Sequence, residues 1–338
     1  MTRKIMSDSS ASPFSAFRIH SARDSHRAGI EQMRVDALSP GEVVIKVAYS
    51  SVNYKDALAG TGKGRILRES PLNGGIDVAG YVAASTDANF KEGDQVLCTG
   101  CGLSETRDGG YAEYARLESK WTVALPPGLT LRESMILGTA GFTAALSLYR
   151  MQQNGQVPEM GPIVVTGASG GVGSLAIDLL TQAGFEAHAI SGKLEHFDDL
   201  IALGAKQCIS RKDLYWGRRP LETSHWAGAI DNVGGDMLSG LTRVIHPYGN
   251  IASCGLAASH ELQTTVMPFI IRGISLLGIA SAGTARNIRD EIWQHLSSDW
   301  KPAQLERIAT REIGLDELPG IFDVMLSGGS FGRTVVKL

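Results

Sequence analysis

The string NYKD at positions 53–56 sets an amide (Asn53), a phenol (Tyr54) and a carboxyl group (Asp56) almost side by side. Asn53 offers an amide donor, Tyr54 a hydroxyl donor with a flat face, and Asp56 a group that orients neighbours or relays a proton. Such a set suits a reaction in which charge develops on a carbonyl oxygen and a neighbouring carbon is then protonated. A local reading competes with it: Asn53 caps a helix over YKDALAG, and Asp56 stands in the first turn, where negative charge is favourable. The residues alone leave both open. Just downstream, GKGRILRES brings Lys63, Arg65 and Arg68 within six positions. They are either a phosphate-binding group or a solvated basic loop.

A second chemical signal lies far away, in VVTGASGGVGSLAI (164–177). Glycines follow an apolar strand and precede a helix, so the backbone can approach a pyrophosphate while helix N–H groups face it. Gly167, Ser169, Gly170, Gly171, Val172 and Gly173 are therefore read as binding a dinucleotide. An NAD enzyme places Asp or Glu at the end of the next strand. This chain has AISGK there, with Ser191 and Lys193. A hydroxyl and an ammonium suit a 2′-phosphate, which makes NADPH the expected cofactor; the alternative is an exposed lysine in a loop.

These signals sit in two differently patterned stretches. From Phe14 to about position 125 the chain reads as strands: EVVIKVAYSSV alternates, and GIDVAGYVAAS, GDQVLCTG and GGYAEYARL follow. After LPPGLT, the run LRESMILGTAGFTAALSLYRMQQNG carries one long helix, or two broken near Gly138 and Gly141. About six short apolar strands then alternate with helical patterns, which means βαβ units and a parallel sheet. A polar helix, ARNIRDEIWQHL, leads into the closing strand GRTVVKL. Residues 1–13 read as a short polar leader.

Composition excludes several classes. A net charge of -3 gives no field favouring nucleic acid or an anionic membrane, and no apolar run is long enough to span a bilayer. Four cysteines in a chain this long make no disulfide framework, so a reducing, cytoplasmic setting is expected. Cys98-x-x-Cys101 is a lone pair. Two thiolates do not complete a tetrahedral zinc site, so no metal is expected and the pair reads as a turn with incidental thiols.

The glycine turn by itself also resembles the opening of short-chain dehydrogenases. Those carry it near the N-terminus, with a Tyr-x-x-x-Lys pair downstream. Here Tyr215 and Tyr248 are followed four positions later by Arg219 and Ala252. The strings SSVNYKDALAGTGKG, GIDVAGYV, GTAGFTAAL, VVTGASGGVGS, WAGAIDNVGG, CGLA, TTVMPFIIRG and GRTVVKL, in that order, instead resemble the medium-chain dehydrogenase/reductase superfamily. Their likeness is to its zinc-free acrylyl-CoA reductase and quinone oxidoreductase-like branch, over about 14–338.

The resemblance implies an α/β protein: a GroES-like β-rich catalytic domain (14–130 and 285–338) and a Rossmann doubly wound parallel-sheet domain (131–284). Zinc-dependent members carry a Cys in the early loop and Gly-His-Glu; here stand SSVNYKD and GGIDVAG, with Ile76 and Asp77. It also puts Asn53, Tyr54 and Asp56 beside the nicotinamide, with Tyr54 touching the cofactor. Asn232, Cys254, Gly255, Leu256 and Leu276 line the cofactor at strand ends, Arg333 reaches it from the tail, and the chain is a homodimer. The implied reaction is NADPH-dependent reduction of an α,β-unsaturated carbonyl, first of all an acrylyl-CoA-type thioester whose phosphates would meet Lys63, Arg65 and Arg68. Quinone reduction and a non-catalytic NADPH-binding regulator are the alternatives. Related enoyl reductases carry a tyrosine shortly after the early helix; AGTGKGRIL has none, which weakens any transfer of their acid catalyst.

Overall fold

The computed structural model describes residues 12–23 and 25–338. The expected leader therefore lies, but for Ser12 and Pro13, outside the described residues. The chain forms two compact units. Unit 1 takes the described residues up to Thr139 together with Ala282–Asp290 and Ala309–Leu338, and unit 2 takes Ala140–Ser281 and Glu291–Ile308.

Unit 1 is built on β-branched, alternating segments that bury one face. Its larger sheet runs Ala309–Ile313, Arg333–Lys337, Val43–Ser51, Asp77–Ser85, Gln95–Thr99 and Val123–Ala124, and Tyr114–Leu117 also pairs with Val43–Ser51. A three-stranded sheet adds Ser25–Met33, Phe14–Ala22 and Leu72–Asn73. The closing strand Arg333–Lys337 thus returns beside Val43–Ser51 and carries Arg333 to the start of the NYKD helix, Tyr54–Thr61. Phe17, Tyr111 and Phe322 pack around that helix in one apolar cluster.

Unit 2 holds a six-stranded parallel sheet in the order Ala205–Ser210, Ala187–Ser191, Ile163–Thr166, Trp226–Asp231, Ile245–Ser253, Ser275–Gly278. Numbered along the chain this is 3-2-1-4-5-6, the dinucleotide-binding order, with the order reversing beside Ile163–Thr166. Val164, Ile190, Ala229, Leu241 and Ile251 fill the core of this unit.

Two boundaries differ from the expected ones, and each has a physical reason. The run Leu131–Gln153 is helical except at Gly138, with φ 50° and ψ -155°, and the division falls just after it rather than at residue 130. The stretch Glu291–Ile308, expected with the β-rich unit, packs into unit 2. There Trp293 lies 6.1 Å from Phe142, and Asp178 accepts the backbone N–H groups of Ala303 and Gln304.

Candidate active site

In unit 1 the NYKD segment meets the returning strand in a buried polar cluster. Asn53 precedes the helix Tyr54–Thr61 with extended backbone, and Asp56 reaches back to accept the Asn53 N–H at 2.9 Å. That half of the capping reading holds. The Asn53 side chain, however, turns inward. Its amide donates to Asp77 Oδ2 at 2.7 Å and to Asp56 Oδ2 at 3.2 Å, and its oxygen accepts Arg333 Nη1 at 3.1 Å. Tyr54 is the outward member of the loop, 45% exposed.

Asp77 is fully buried and heavily donated to. Ser51 Oγ lies at 2.6 Å, Thr139 Oγ1 at 2.6 Å and the Thr139 N–H at 3.0 Å. The break at Gly138 is what frees the Thr139 N–H for this bond. Asp56 is also buried and accepts the Ile76 N–H at 2.9 Å. Burial first, and then the neighbouring Asp77 charge, push its carboxyl up to about 7. The Asp56 carboxyl thus holds its proton to a higher pH than an ordinary aspartate does.

Arg333, expected at the cofactor, places its guanidinium inside this cluster. It donates to the carbonyls of Ile136 and Val52 and to Ser51 Oγ at 2.7 Å, and lies 3.9 Å from Asp77. Tyr111 donates to the Ser51 carbonyl at 3.1 Å. Lys63, Arg65 and Arg68 are exposed, and Arg68 pairs with Glu105 at 3.1 Å.

Unit 2 presents the glycine turn. Gly167 has φ +58°, and a Cβ at Gly173 would stand 2.4 Å from the Gly167 carbonyl oxygen. Helix and strand can approach this closely only without that side chain, which leaves the turn and the first residues of Gly171–Gln182 open to a pyrophosphate. Gly170, Gly171 and Val172 are partly exposed, whereas Ser169 is buried and accepts the Ser191 hydroxyl at 3.0 Å. Ser191 in turn accepts the Lys193 N–H at 3.1 Å. Burial, opposed by Glu195, lowers the Lys193 ammonium from its ordinary range.

The other expected cofactor residues divide in two. Asn232 is pinned at a strand end, donating its side-chain amide to the Thr166 carbonyl at 2.7 Å and accepting Cys254 Sγ at 3.1 Å. Burial pushes the Cys254 thiol up to about 12, so it acts as a donor and not as a nucleophile. Gly255 has no room for a side chain against the Asn232 carbonyl, and Leu256 is exposed. Leu276 stands inside its strand, paired with Ile251 and packed on the sheet core.

Residues 39–127 match the model of the alcohol dehydrogenase GroES-like domain, and residues 171–298 that of the zinc-binding dehydrogenase. The Bacillus subtilis protein named "Putative quinone oxidoreductase YhfP" is 45% identical over 96% of this chain and 99% of its own. The chain belongs to the medium-chain dehydrogenase/reductase family. Another relative within it is the acrylyl-CoA reductase AcuI of Ruegeria pomeroyi, 40% identical over 92% of this chain and 94% of its own. The yhdH oxidoreductase of Salmonella enterica, solved in complex with NADP, superposes with a TM-score of 0.92. It is 43% identical and covers 96% of this chain and 99% of that one. YhfP, solved with NAD bound, gives 0.94 at 44% identity over 97% and 100%. Among the described residues of this medium-chain dehydrogenase/reductase, no three His, Cys, Asp or Glu side chains gather as a metal site would require. None of its described helices is long and apolar enough to cross a membrane.

Sequence reasoning missed two residues. Asp77 stands in GGIDVAG, a carboxylate where zinc members have Glu, and that coincidence was the available signal. Arg211 is the first cation past the strand Ala205–Ser210. Its N–H donates to the Ser191 carbonyl at 2.9 Å, and its guanidine packs over Gly192, where a Cβ would lie 2.5 Å from Nε.

Proposed function

We propose that this protein is an NADPH-dependent reductase of α,β-unsaturated carbonyl compounds, an acrylyl-CoA-type thioester foremost. The observation that carries the reading is the buried polar cluster in which Asn53 bridges Asp56, Asp77 and Arg333, with burial raising the Asp56 carboxyl to about 7. The names of AcuI and the NADP-bound yhdH oxidoreductase support it.

The residues of unit 2 fit the cofactor. Gly167 and Gly173 leave the space a pyrophosphate needs, and Ser191, Lys193 and Arg211 offer a hydroxyl and two cations to a 2′-phosphate. When bound, NADPH supplies the hydride that adds at Cβ of the acceptor. The chain's own groups do the rest. Tyr54, the outward member, provides a donor for the charge that gathers on the carbonyl oxygen, and Asn53 ties Asp56 to Asp77 behind it. Arg333, Ser51 and Thr139 hold Asp77 in place beside Asn53, and Asp56 holds the proton that Cα receives. Lys63, Arg65 and Arg68 are the cations offered to the phosphates of a coenzyme A ester.

Quinone reduction is the second reading, favoured by the name YhfP carries. Anaerobic NADPH oxidation with acrylyl-CoA, crotonyl-CoA, simple enals and quinones decides between them. Turnover of the thioesters is expected, and turnover of quinones alone would sink the first reading. The protein is further read as a homodimer, paired through Ser275–Gly278 at the end of the sheet order, beside exposed Val266 and Ile270. Four free cysteines support a reducing, cytoplasmic setting.

A further inference from the structure

We propose that Cys98 and Cys101 form a reversible dithiol–disulfide couple that a small hydroperoxide oxidises. The pair spans the end of the strand Gln95–Thr99 and the turn after it. Gly100, Cys101 and Gly102 take φ of 70°, 52° and 83° in succession, a left-handed run that is unfavourable at a cysteine. It coils the chain so that both side chains enter one apolar cluster with Val78, Val96 and Leu103.

Packing among valines is what two small apolar residues would give. The cations beside the pair set this site apart. Buried Arg289 donates to the carbonyl of Thr99 at 2.9 Å and to its hydroxyl at 3.1 Å, next to Cys98 in the chain. Arg107 packs over Gly102, where a Cβ would lie 3.3 Å from its Nε. A hydrogen bond from Cys98, with Arg289, Arg107 and Arg286, holds the Cys101 thiol below its ordinary range. The same bond and burial raise Cys98 well above it. The two sulphurs are thus unequal, with Cys101 the one set to attack first.

The pair is 1% and 7% exposed, which keeps out a bulky disulfide and leaves a small uncharged peroxide as the oxidant to test. The Cys101 thiolate attacks one peroxide oxygen and the O–O bond breaks, giving the sulfenic acid and, after protonation, water. Cys98 sulphur then attacks Cys101 sulphur. The S–S bond forms, and the hydroxyl leaves as a second water with the Cys98 proton. Thr99 pairs with Asp77 and Cys98 with Val78 across the sheet, so the bond closes one strand away from the carboxylate cluster.

The test treats the whole native chain with graded hydrogen peroxide, quenches in acid, unfolds, alkylates and maps the peptides by mass spectrometry. The expected product is a peptide carrying Cys98 and Cys101 that is two hydrogens lighter, escapes alkylation at both positions and recovers with dithiothreitol. In Cys98→Ser, Cys101 should instead accumulate as a sulfenic acid trapped by dimedone. The proposal is overturned if both cysteines stay alkylatable at every dose. It is equally overturned if Cys101 advances to the sulfinic acid with Cys98 intact, or if either cysteine bonds to Cys208 or Cys254. Should Cys98→Ser not fold, the wild-type peptide map decides alone.

Discussion

Gly138 and Asp77 share one small space: a Cβ on Gly138 would lie 2.5 Å from Asp77 Oδ2, 2.7 Å from Ser51 Oγ and 2.9 Å from Arg333 Nη2. The glycine also holds φ +50° and, by breaking its helix, frees the Thr139 N–H for Asp77. Gly138→Ala should therefore cost about 3 kcal/mol or more, from backbone strain and overpacking together. Gly93 is the control, with φ +89° and nothing within 4 Å of its Cβ position. Gly93→Ala should cost only about 1 kcal/mol. Urea denaturation of the two variants compares them directly, and equal losses would mean that the Asp77 contact is slack.

Asp56 gives a pH dependence with a definite sign. Its carboxyl rises from an ordinary 3.8 to about 7 on folding. Between those values the unfolded chain has lost the proton that the folded chain keeps. Stability from this group is therefore intact below about 4, falls as pH rises, and reaches its full loss above about 7. Asp56→Asn removes the titration, so the gap between variant and wild type should narrow or reverse from pH 4 to pH 8 in chemical denaturation. Turnover should fall above about pH 7 in the wild type as the stored proton is lost, with a lower and flatter profile in Asp56→Asn.

Much of this could be read from the sequence, and the parts that could not have a common cause. The glycine turn was legible because each glycine answers a local demand: a positive φ at Gly167, and helix–strand contact at Gly173. The parallel sheet followed from strands alternating with helices. The place of Arg333 in the carboxylate cluster was not legible because its partners, Ile136, Val52 and Ser51, lie at least 197 positions away and on two other segments. Nothing in GRTVVKL says which segment it will meet. The same holds for Tyr111, whose role depends on folding against Ser51. Within NYKD, Asp56 accepts the Asn53 N–H at the helix start while the Asn53 side chain turns to Asp77, a division of roles the residue types alone did not show.

Cofactor preference should rest on two cations of unequal visibility. Lys193→Asp removes a partner for the 2′-phosphate and adds a repelling charge, while Arg211→Ala removes the guanidine that packs over Gly192. A charge-assisted hydrogen bond is worth about 1.5–3 kcal/mol, so each variant should lower the NADPH/NADH ratio of kcat/KM by roughly tenfold or more. Unchanged ratios in both would show that the 2′-phosphate is bound elsewhere or not at all. A change in Arg211→Ala alone would shift the selectivity to the third strand end.

The edge of the unit 2 sheet yields the last expectation. Ser275–Gly278 pairs on one side with Ile245–Ser253 and closes the strand order. An uncovered strand edge invites pairing with another chain, and the residues around it are apolar. Val266, Ile270 and Ile271 are 67%, 73% and 59% exposed, more than scattered surface aliphatics require. A second copy related by a twofold axis would cover both features at once, because a twofold places the same edge against itself. Ile270→Asp would bring two buried charges to such an interface, each costing several kcal/mol. Light scattering should then find a dimer in the wild type and a monomer in Ile270→Asp, with the fold intact by circular dichroism. A wild-type monomer at micromolar concentration would remove the dimer reading and leave this apolar edge without a partner.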